Sequence, residues 1–379
     1  MLHVAVLFEY STLNGGEQSM LAVLRQLRAN THVRFTAIVP PAGLLAQQLR
    51  SLNVPVVPFR VHSAAGIKHD ASKLVAELQS VLATTEPDLL HANSLSMSRL
   101  AGQVRSQTGS TCCTGHIRDI MKLSDKVIRD LNGLSRIAVV SQAAKAFHEA
   151  QGLRGGLAQL IYNGVDTGRF CHQSRTVART ALLPQLPESA RVLLNVGQIC
   201  LRKGQLDLAR AVVRLLKTTD DLHLVLLGER HSKKEESIAY ERAIEEEFAA
   251  ANRSGHLHRA GFHKNVEQWM NAADLLVHPA RQEPLGRVLL EAAACELPVI
   301  ATDVGGTSEI FQDEQSGILV PPDNIDALVN GIRAAFNDWS QCKSRAVVAA
   351  DRIRLTFGIE RAAASLQNFW QAAQREHHT

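Results

Sequence analysis

Two glutamates that lie eight residues apart in an apolar segment are the side chains of this sequence best suited to chemistry. Residues 283–291 read Glu-Pro-Leu-Gly-Arg-Val-Leu-Leu-Glu, and an apolar run typical of a strand ends shortly before them, near His278. Pro284 suits the first position of a helix, because the fixed φ of proline and its missing N–H cost nothing there. The pattern therefore predicts a helix that begins at Pro284, with Glu283 beside its N-terminus and Glu291 about two turns further on.

The N-terminus of this predicted helix is expected to bind an anion. The amides of Leu285, Gly286 and Arg287 would have no acceptor within the helix, and the helix dipole would add a positive potential. Gly286 would let a ligand approach the backbone closely. A carboxylate such as Glu283 suits this place if it hydrogen-bonds neutral groups, for example the hydroxyls of a sugar carried by the bound phosphate. The alternative is that Glu283 only caps the helix and that Glu291 is solvated.

Two other turns follow predicted strands and open predicted helices. Lys203 and Gly204 come after an apolar strand, where a lysine is by default a surface residue, but their turn belongs to the same sheet end as residues 283–291. We expect Lys203 to neutralise the negative charge that develops on a leaving group. Gly15 and Gly16 follow the first strand, and by themselves they indicate only a tight turn before a helix.

The composition indicates a two-domain globular protein and disfavours a nucleic-acid-binding one. A chain of 379 residues exceeds what one hydrophobic core usually supports, so two domains with a cleft between them are expected. Aromatic residues make up 4% of the sequence, too few for a surface of stacked rings that binds nucleic acid. The net charge of +4 suits a phosphate-bearing ligand or a peripheral contact with an anionic membrane.

The six cysteines and the first residues of the sequence favour a cytoplasmic location. The cysteines show neither a Cys-x-x-Cys pair nor the spacing of metal ligands, so we expect reduced thiols. The first ten residues lack a basic leader segment and contain Glu9, which favours a first strand over a signal peptide. No apolar run approaches the roughly 20 residues that span a bilayer, so membrane contact, at the inner face of the membrane, is expected to be peripheral.

Short apolar runs alternate with segments of helical period along the whole chain, which predicts parallel strands joined by helices. The apolar runs are 4–8, 35–39, 89–90, 137–140, 192–196, 222–227, 275–277 and 298–301. The predicted fold class is α/β, with two Rossmann-like domains facing a cleft. Residues 182–190 contain two prolines and no clear period, so we place the first domain at 1–185 and the second at 186–359. The amphipathic stretch at about 360–379 is predicted to be a helix that crosses back to the first domain.

The order and spacing of several short motifs resemble the retaining family-four glycosyltransferases, which have the two-domain fold called GT-B. The motifs are Asn14-Gly15-Gly16-Glu17, His91-Ala92-Asn93, Gly115-His116-Ile117-Arg118-Asp119, Val140-Ser141-Gln142, Tyr162-Asn163-Gly164-Val165-Asp166, Gly197-Gln198 with Arg202-Lys203-Gly204, and the segment 283–309 with its Glu-x7-Glu helix. Each motif is weak alone, but together they extend over most of the chain. The resemblance implies a glycosyltransferase that uses a nucleoside diphosphate sugar.

The resemblance also implies roles for the candidate catalytic residues, Glu283, Lys203 and His116. In the family, the first glutamate of the helix motif contacts the donor sugar and the second contacts the ribose, roles that fall here to Glu283 and Glu291. The amides of residues 285–287 would hold the diphosphate. His116 would contact the donor sugar without acting as a general base. No metal and no other cofactor is expected, because a lysine and the helix dipole would replace the metal.

The remaining donor contacts come from both predicted domains. Gly15 and Gly16 would lie against the donor phosphates, and the backbone around Gly261 and Phe262 would bind the base. Whether that base is uracil, guanine or adenine is not encoded in a recognisable motif.

One residue departs from the family pattern. Gln198 stands where the family usually has an arginine. One cation for the phosphates is therefore missing from its usual position, and Arg202 or Arg287 is the expected substitute.

The sequence therefore predicts a retaining enzyme that moves a hexose from a UDP- or GDP-linked sugar to an acceptor hydroxyl in glycan, glycolipid or glycoside biosynthesis. The acceptor is a carbohydrate, a lipid-linked compound or a small molecule, and no motif selects among them. One alternative is a non-catalytic protein of the same fold that binds nucleotide sugars. Another is an NAD-dependent oxidoreductase, which is disfavoured because no strand is followed by Gly-x-Gly-x-x-Gly and an acidic residue about 20 positions later.

Overall fold

The structure is a computed structural model that describes residues 1–63, 66–313 and 315–378. The chain divides into two compact units. Unit 1 comprises Met1–Gly164 together with the chain from Ile359 onward, and unit 2 comprises Val165–Gly358. Each unit is an α/β domain built on a parallel sheet, which confirms the predicted fold class.

Unit 1 contains a parallel sheet of seven strands among its described residues, in the order β3-β2-β1-β4-β5-β6-β7. Its elements are β1 Leu2–Leu7, α1 Gly15–Leu27, β2 Val33–Val39, α2 Leu44–Ser51, β3 Val56–Pro58, α3 Ala71–Thr85, β4 Leu89–Ala92, α4 Leu95–Thr108, β5 Cys112–Ile117, α5 Asp125–Asn132, β6 Arg136–Val139, α6 Gln142–Glu149 and β7 Ala158–Leu160. The strand order reverses between β1 and β4. In open parallel sheets, ligands bind at the carboxyl ends of the strands at such a reversal.

The terminal helix, α15, spans Ile359–His378 and belongs to unit 1, as predicted. Phe369 and Trp370 on this helix are fully buried in the same core as Val4 of β1 and Met20 of α1. The burial of two large aromatic side chains fixes the helix to unit 1, because each contributes on the order of 2 kcal/mol or more of hydrophobic free energy.

Unit 2 contains a parallel sheet of six strands among its described residues, in the order β10-β9-β8-β11-β12-β13. Its elements are α7 Arg175–Leu182, β8 Arg191–Val196, α8 Gln205–Leu215, β9 Leu222–Leu227, α9 Glu235–Ala250, β10 Leu257–Gly261, α10 Val266–Ala272, β11 Leu275–His278, α11 Arg287–Ala294, β12 Val299–Thr302, α12 Thr307–Ile310, β13 Ile318–Val320, α13 Ile325–Asn337 and α14 Trp339–Thr356, with 3-10 turns at Leu201–Lys203 and Ser254–His256. The strand order reverses between β8 and β11, so this pair marks the expected ligand-binding end of the sheet.

The boundary between the units differs from the one placed at residues 185 and 186, since unit 2 already begins at Val165. The reason is the buried Arg179 on α7. Its guanidinium donates hydrogen bonds to the carbonyls of Ala272 and Ala190 and forms an ion pair with Asp274, just before β11. These contacts attach α7 to the second sheet, and the proline-rich residues that follow form a connection within unit 2.

Two buried histidines lie side by side on adjacent strands of unit 1. His91 on β4 and His116 on β5 have ring centroids 5.5 Å apart. Burial, reinforced by the charge of Arg118, lowers the pKa of His91 to about 3 and the pKa of His116 well below its ordinary value. Both rings are therefore neutral in the folded protein at neutral pH.

This pair predicts that unit 1 loses stability in acid. Below about pH 6.5 the two histidines bind protons in the unfolded chain but not in the folded protein. The free energy of unfolding therefore falls as the pH drops through this value. We expect a loss of about 1.4 kcal/mol per pH unit for each histidine. The measurement is urea unfolding between about pH 7 and pH 5. Unfolding is monitored by the fluorescence of Trp370, in a protein in which Trp269 and Trp339 are replaced by phenylalanine.

The matched variants separate these two histidines from the other titrating groups. Replacing both His91 and His116 by glutamine is expected to flatten the pH dependence, whereas His32→Gln, at an exposed position, should leave it unchanged. An identical slope in the double variant and the parent protein would show that the pair does not cause the effect.

Candidate functional site

Three polar side chains of unit 2 meet at the carboxyl ends of β8 and β11. Lys203 lies in the 3-10 turn after β8, His278 is the last residue of β11, and Glu283 follows in the next loop. The Lys203 Nζ atom lies 2.5 Å from Glu283 Oε2, and His278 Nε2 lies 2.8 Å from the same oxygen. The structure thus brings Lys203 and Glu283 together, as expected for two residues of one site.

The cluster holds Glu283 as a buried anion. Burial alone would raise the pKa of its carboxyl, but the ammonium of Lys203 and the hydrogen bond from His278 outweigh burial and hold that pKa well below its ordinary value. Burial, with a further contribution from Lys203, lowers the pKa of His278. The His278 ring is therefore neutral, and it carries its proton on Nε2 in order to donate to Glu283.

Gly204 allows the turn that carries Lys203 to pack against the loop that leads to Glu283. Its φ is +69°, and a Cβ atom there would lie 1.9 Å from the carbonyl oxygen of Pro279. Only glycine tolerates both the conformation and the approach without strain. The short distance between Lys203 and Glu283 depends on this contact between two backbones.

The helix of the Glu-x7-Glu motif begins three residues later than predicted. Pro284 precedes α11, which starts at Arg287 with Gly286 as its N-cap. Gly286 adopts a φ of +93°, and its carbonyl accepts hydrogen bonds from the amides of Leu289 and Leu290. The prediction of a helix start at Pro284 is therefore wrong. The positive end of the helix lies at Gly286 and Arg287, and Leu285 belongs to the preceding turn.

Glu291 is buried on α11 and is not solvated. Its Oε1 atom lies 3.3 Å from Nη1 of Arg287, one helical turn earlier. Burial raises the pKa of Glu291, while Arg287 and Arg169 oppose that shift. Arg287 is thus already engaged with a carboxylate.

The two other residues of the expected phosphate site lie in the turn after β8. Gln198 is half-buried, and its carbonyl accepts a hydrogen bond of 3.0 Å from the side chain of Gln205. Arg202 is exposed, and its Nη1 atom donates to the carbonyl of Gln282 at 3.1 Å. Arg202 therefore contacts the residue that directly precedes Glu283.

The predicted base-binding segment uses its backbone groups within unit 2. Gly261 ends β10 with a φ of +73°, and its carbonyl accepts from the amide of Gly228 at 2.8 Å. The amide of Phe262 donates to Oε1 of Glu229 at 3.2 Å, while the Phe262 side chain is 58% exposed. Glu229 is a polar residue that the sequence did not single out, although its position two residues after the end of β9 could have indicated it.

The motif residues of unit 1 converge on Arg118. Its Nη2 atom donates to Oδ1 of Asn93 at 2.8 Å, and Asn93 in turn donates to the carbonyl of Gly16 at 3.2 Å. A Cβ atom at Gly16 would lie 3.2 Å from Nε of Arg118. Gly15 and Gly16 are the first residues of α1. No role was predicted for Arg118, although its motif was recognised.

His116 belongs to unit 1, whereas Lys203 and Glu283 belong to unit 2. His116 lies within β5. Its ring is buried, and neither ring nitrogen has a hydrogen-bond partner among the described residues. The ring lines a small cavity together with Ser19, Arg118, Tyr162 and Leu366.

Two searches of the described residues bear on metals and membranes. In the described part of the chain, no three His, Cys, Asp or Glu side chains are grouped so that they could hold a metal ion. Within the same residues, no helix is both long and apolar enough to cross a bilayer. The six cysteines are free thiols, four of them buried.

The fold is shared with known glycosyltransferase structures. The crystal structure of HepE from Anabaena in complex with UDP superposes with a TM-score of 0.84 at 21% identity, covering 98% of this chain and 100% of that one. Sucrose-phosphate synthase from Thermosynechococcus elongatus gives a TM-score of 0.83 at 19% identity, with 98% and 99% coverage. The two Rossmann-like units are thus those of a GT-B fold.

Sequence comparison identifies the family. The model of glycosyl transferases group 1 matches residues 184–350, and the model of glycosyltransferase family 4 matches residues 13–169. The chain therefore belongs to the family-four, group 1 glycosyltransferases.

Two curated relatives resemble the chain over part of their length. The lipopolysaccharide core biosynthesis mannosyltransferase LpsB of Rhizobium meliloti is 28% identical over 219 residues, which cover 57% of this chain and 61% of that protein. The glycogen synthase of Mycobacterium tuberculosis is 29% identical over 223 residues, covering 58% and 50%. The matched regions thus span between half and three fifths of these relatives.

The buried ion pair predicts an asymmetric response to mutation. Lys203→Met leaves the Glu283 carboxylate buried with only the neutral His278 as partner, which is expected to destabilise the protein by about 3 kcal/mol or more. Adding Glu283→Gln removes the uncompensated charge, so the double variant should recover part of that loss. The measurement is thermal unfolding by calorimetry.

Arg202→Met is the matched control, because it removes a neighbouring cation that is exposed and whose side chain, among the described residues, hydrogen-bonds only the carbonyl of Gln282. If Lys203→Met costs no more than this control, or if the two substitutions at 203 and 283 are additive, the ion pair does not hold the loops together.

Proposed function

We propose that this protein is a retaining glycosyltransferase that moves a hexose from a nucleoside diphosphate sugar, UDP- or GDP-linked, to an acceptor hydroxyl. The observation that carries the proposal is the cluster of Lys203, Glu283 and His278 beside the positive end of α11. It combines a cation, a buried carboxylate and a helix N-terminus, which are the groups needed to bind a diphosphate next to a sugar.

In this proposal the diphosphate binds at the N-terminus of α11 and attracts Lys203 away from Glu283. The lysine then neutralises the charge that develops on the phosphate as the glycosidic bond breaks. The released lone pairs of Glu283 accept hydrogen bonds from the sugar hydroxyls, which its low pKa favours because the carboxylate stays ionised. His278 keeps Glu283 in position during the exchange and is a positioning residue.

The family members that resemble this chain support both substrates of the proposed reaction. One relative is named a mannosyltransferase of lipopolysaccharide core biosynthesis and another a glycogen synthase. HepE was crystallised with UDP and with UDP-glucose. We propose a nucleotide-sugar donor for this chain on that basis, and a carbohydrate, lipid-linked compound or small molecule as acceptor in glycan, glycolipid or glycoside synthesis.

The other donor contacts remain part of the proposal. Glu291 is proposed to bind the ribose, its buried carboxyl exchanging Arg287 for ribose hydroxyls. Arg287 then becomes the cation that replaces the arginine missing at position 198. Gly15 and Gly16 are proposed to face the phosphates.

The contribution of unit 1 to sugar recognition is proposed for two side chains. The proposed sugar contact of His116 rests on the family motif. Arg118 is proposed as a second contact because Asn93, which binds the carbonyl of Gly16, accepts a hydrogen bond from it.

Two environmental expectations belong to the same proposal. Transfer is expected to persist in the presence of a chelator, because Lys203 and the helix dipole do the work of a metal. A cytoplasmic location is proposed on the free thiols, four of which are buried.

The central prediction concerns Glu283. Glu283→Ala is expected to abolish transfer, a loss of about 10²- to 10³-fold or more, while leaving nucleotide binding largely intact because Lys203 and the α11 N-terminus remain. Sugar transfer is measured by release of nucleoside diphosphate, and binding by calorimetric titration with the nucleotide. Glu235→Ala, at an exposed glutamate on α9, is the control. Unaltered turnover in Glu283→Ala would overturn the assignment of Glu283 as a catalytic residue.

A panel of nucleotides distinguishes the proposed enzyme from its alternatives. UDP- and GDP-sugars are each tested for a rise in melting temperature and for slow hydrolysis, and NADH is tested for a change of fluorescence. A melting shift with hydrolysis supports the enzyme. A shift without hydrolysis or transfer would identify a non-catalytic binding protein, and no shift with either nucleotide series would overturn the donor site.

A further inference from the structure

A pocket of unit 2 lies at the amino ends of β11 and β12. Its volume is about 220 Å³, whereas a single water needs on the order of 10 Å³ of such space. Its walls come from the segment that leads into α7, the end of α10, the turn between α11 and β12, and the start of α14. The pocket is therefore large enough to hold a small organic molecule.

The pocket is distinct from the candidate donor site. Asp274 lines the pocket and directly precedes β11, whereas His278 ends β11 and bonds Glu283. A parallel strand rises about 3.3 Å per residue, so Asp274 and His278 lie roughly 13 Å apart along the strand. The pocket and the Lys203–Glu283 pair thus lie at opposite edges of the sheet of unit 2.

Part of the pocket lining is apolar. Met270 and Leu297 belong to it and are 1% and 3% exposed. Trp339, which also lines the pocket, is half-buried, and its indole stacks on the ring of Phe336 with centroids 5.5 Å apart and an interplanar angle of 24°. This stacking fixes the orientation of the indole. The pocket therefore offers a flat apolar surface to the ring of a ligand.

One cation of the pocket exceeds what its carboxylate partner requires. Arg175, whose side chain is 46% exposed, donates to Asp274 through its Nη1 atom. The other oxygen of Asp274 accepts hydrogen bonds from Arg179 at 2.8 Å and from the amide of Val192 at 2.7 Å. Arg179 by itself can thus neutralise this carboxylate, and the remaining donors of Arg175 are available to an anion.

Two further polar side chains line the pocket without a partner. Lys343 on α14 and His172 before α7 are exposed, and within the described ranges neither side chain forms a hydrogen bond or an ion pair. Ammonium and guanidinium groups bind phosphate oxygens strongly, because charge reinforces each hydrogen bond. Lys343 and Arg175 therefore give the pocket two cations that can bind one anion.

The carboxylates around the pocket already have partners. Glu296, which lines the pocket beside Asp274, lies 3.0 Å from Nη2 of Arg354. Three carboxylates that do not line the pocket, but belong to the elements around it, are compensated by a cation or a helix dipole: Glu267 by Arg169, Asp351 by Arg354, and Asp338 by the N-terminus of α14. The charged groups that the pocket leaves available to a ligand are therefore cations.

We infer that this pocket binds a small phosphate ester that carries a ring. The phosphate accepts hydrogen bonds from Arg175 and Lys343, and the ring lies against the indole of Trp339. A sugar ring and an aromatic ring share this chemistry, because both present a flat apolar face. The ligand is a molecule other than the nucleotide-sugar donor, and the inference stands whether or not the proposed function is correct.

The test is calorimetric titration of the full chain with glucose 6-phosphate, phenyl phosphate and inorganic phosphate, each with and without excess UDP. One of the two esters is expected to bind about fivefold or more tightly than inorganic phosphate, because its ring contacts Trp339. Tighter binding of the first ester identifies a sugar phosphate as the ligand, and tighter binding of the second identifies an aromatic one. UDP is expected to leave this binding unchanged.

Three results would overturn the inference: no binding of any of the three compounds, equal binding of both esters and inorganic phosphate, or displacement of the ester by UDP. A titration with UDP alone tests the proposed donor site, so the two proposals can fail separately.

Variants of the lining residues locate the binding site. Arg175→Gln and Lys343→Gln should each weaken binding of the ester by about tenfold. Arg175→Gln is expected to fold normally, because Arg179 still pairs with the buried carboxylate. Trp339→Leu should weaken binding of the ester by about fivefold and leave the binding of inorganic phosphate unchanged.

The matched control is Lys217→Gln, at an exposed lysine that follows α8 and does not line the pocket. It should bind the ester as the parent protein does. Parent affinity in both Arg175→Gln and Lys343→Gln, or an equal loss in Lys217→Gln, would show that the ester binds elsewhere and would overturn the inference. The melting temperature of each variant is measured in parallel to confirm that it is folded.

Discussion

The burial of the Glu283 carboxylate is the constraint on which the rest of the candidate site depends. A buried charge is tolerated only when it is paired and hydrogen-bonded, and Lys203 and His278 satisfy that requirement through a single oxygen atom. The partners come from the ends of two adjacent strands, β8 and β11, so the carboxylate also fixes the distance between the loops after them. A group that stabilises this end of the sheet is thus the same group that the proposed reaction uses.

The backbone makes this arrangement possible before any side chain contributes. Gly204 lets the turn after β8 touch the carbonyl of Pro279, and Gly286 turns the chain so that α11 starts at Arg287. Both glycines have positive φ, a conformation that other residues reach only at a cost. The site is therefore defined by two tight turns at the strand reversal of unit 2, where open parallel sheets present their ligands.

Unit 1 also has a parallel sheet with a reversal of strand order, but different side chains lie at that reversal. Its strand order also reverses, between β1 and β4, and the residues that meet there include Gly16, Asn93 and Arg118. The buried histidines behind them stay neutral because the sheet excludes water. Unit 1 places Arg118 beside the amide of Asn93 and near the buried Glu17, whereas unit 2 holds the Glu283 carboxylate between a lysine and a neutral histidine. Each unit thus holds a charged side chain at the end of its sheet.

The sequence by itself determined the fold class and the chemical character of the site. Long apolar runs such as 192–196 and 222–227 predicted strands, because strands covered on both faces must be apolar throughout. The spacing of Glu283 from Glu291 and the turn at Lys203 predicted the side chains of the site. The short strands β3, β7 and β13, of three residues each, carried too little pattern to be found.

Only the tertiary structure decided which groups pair. The start of α11 at Arg287, the hydrogen bond from Lys203 to Glu283, and the assignment of α7 to unit 2 through Arg179 depend on contacts between residues distant in the chain or on one backbone angle. Local patterns record which side chains are apolar and where turns are permitted. They do not record which turns meet, because that is decided when the sheet brings the ends of its strands together.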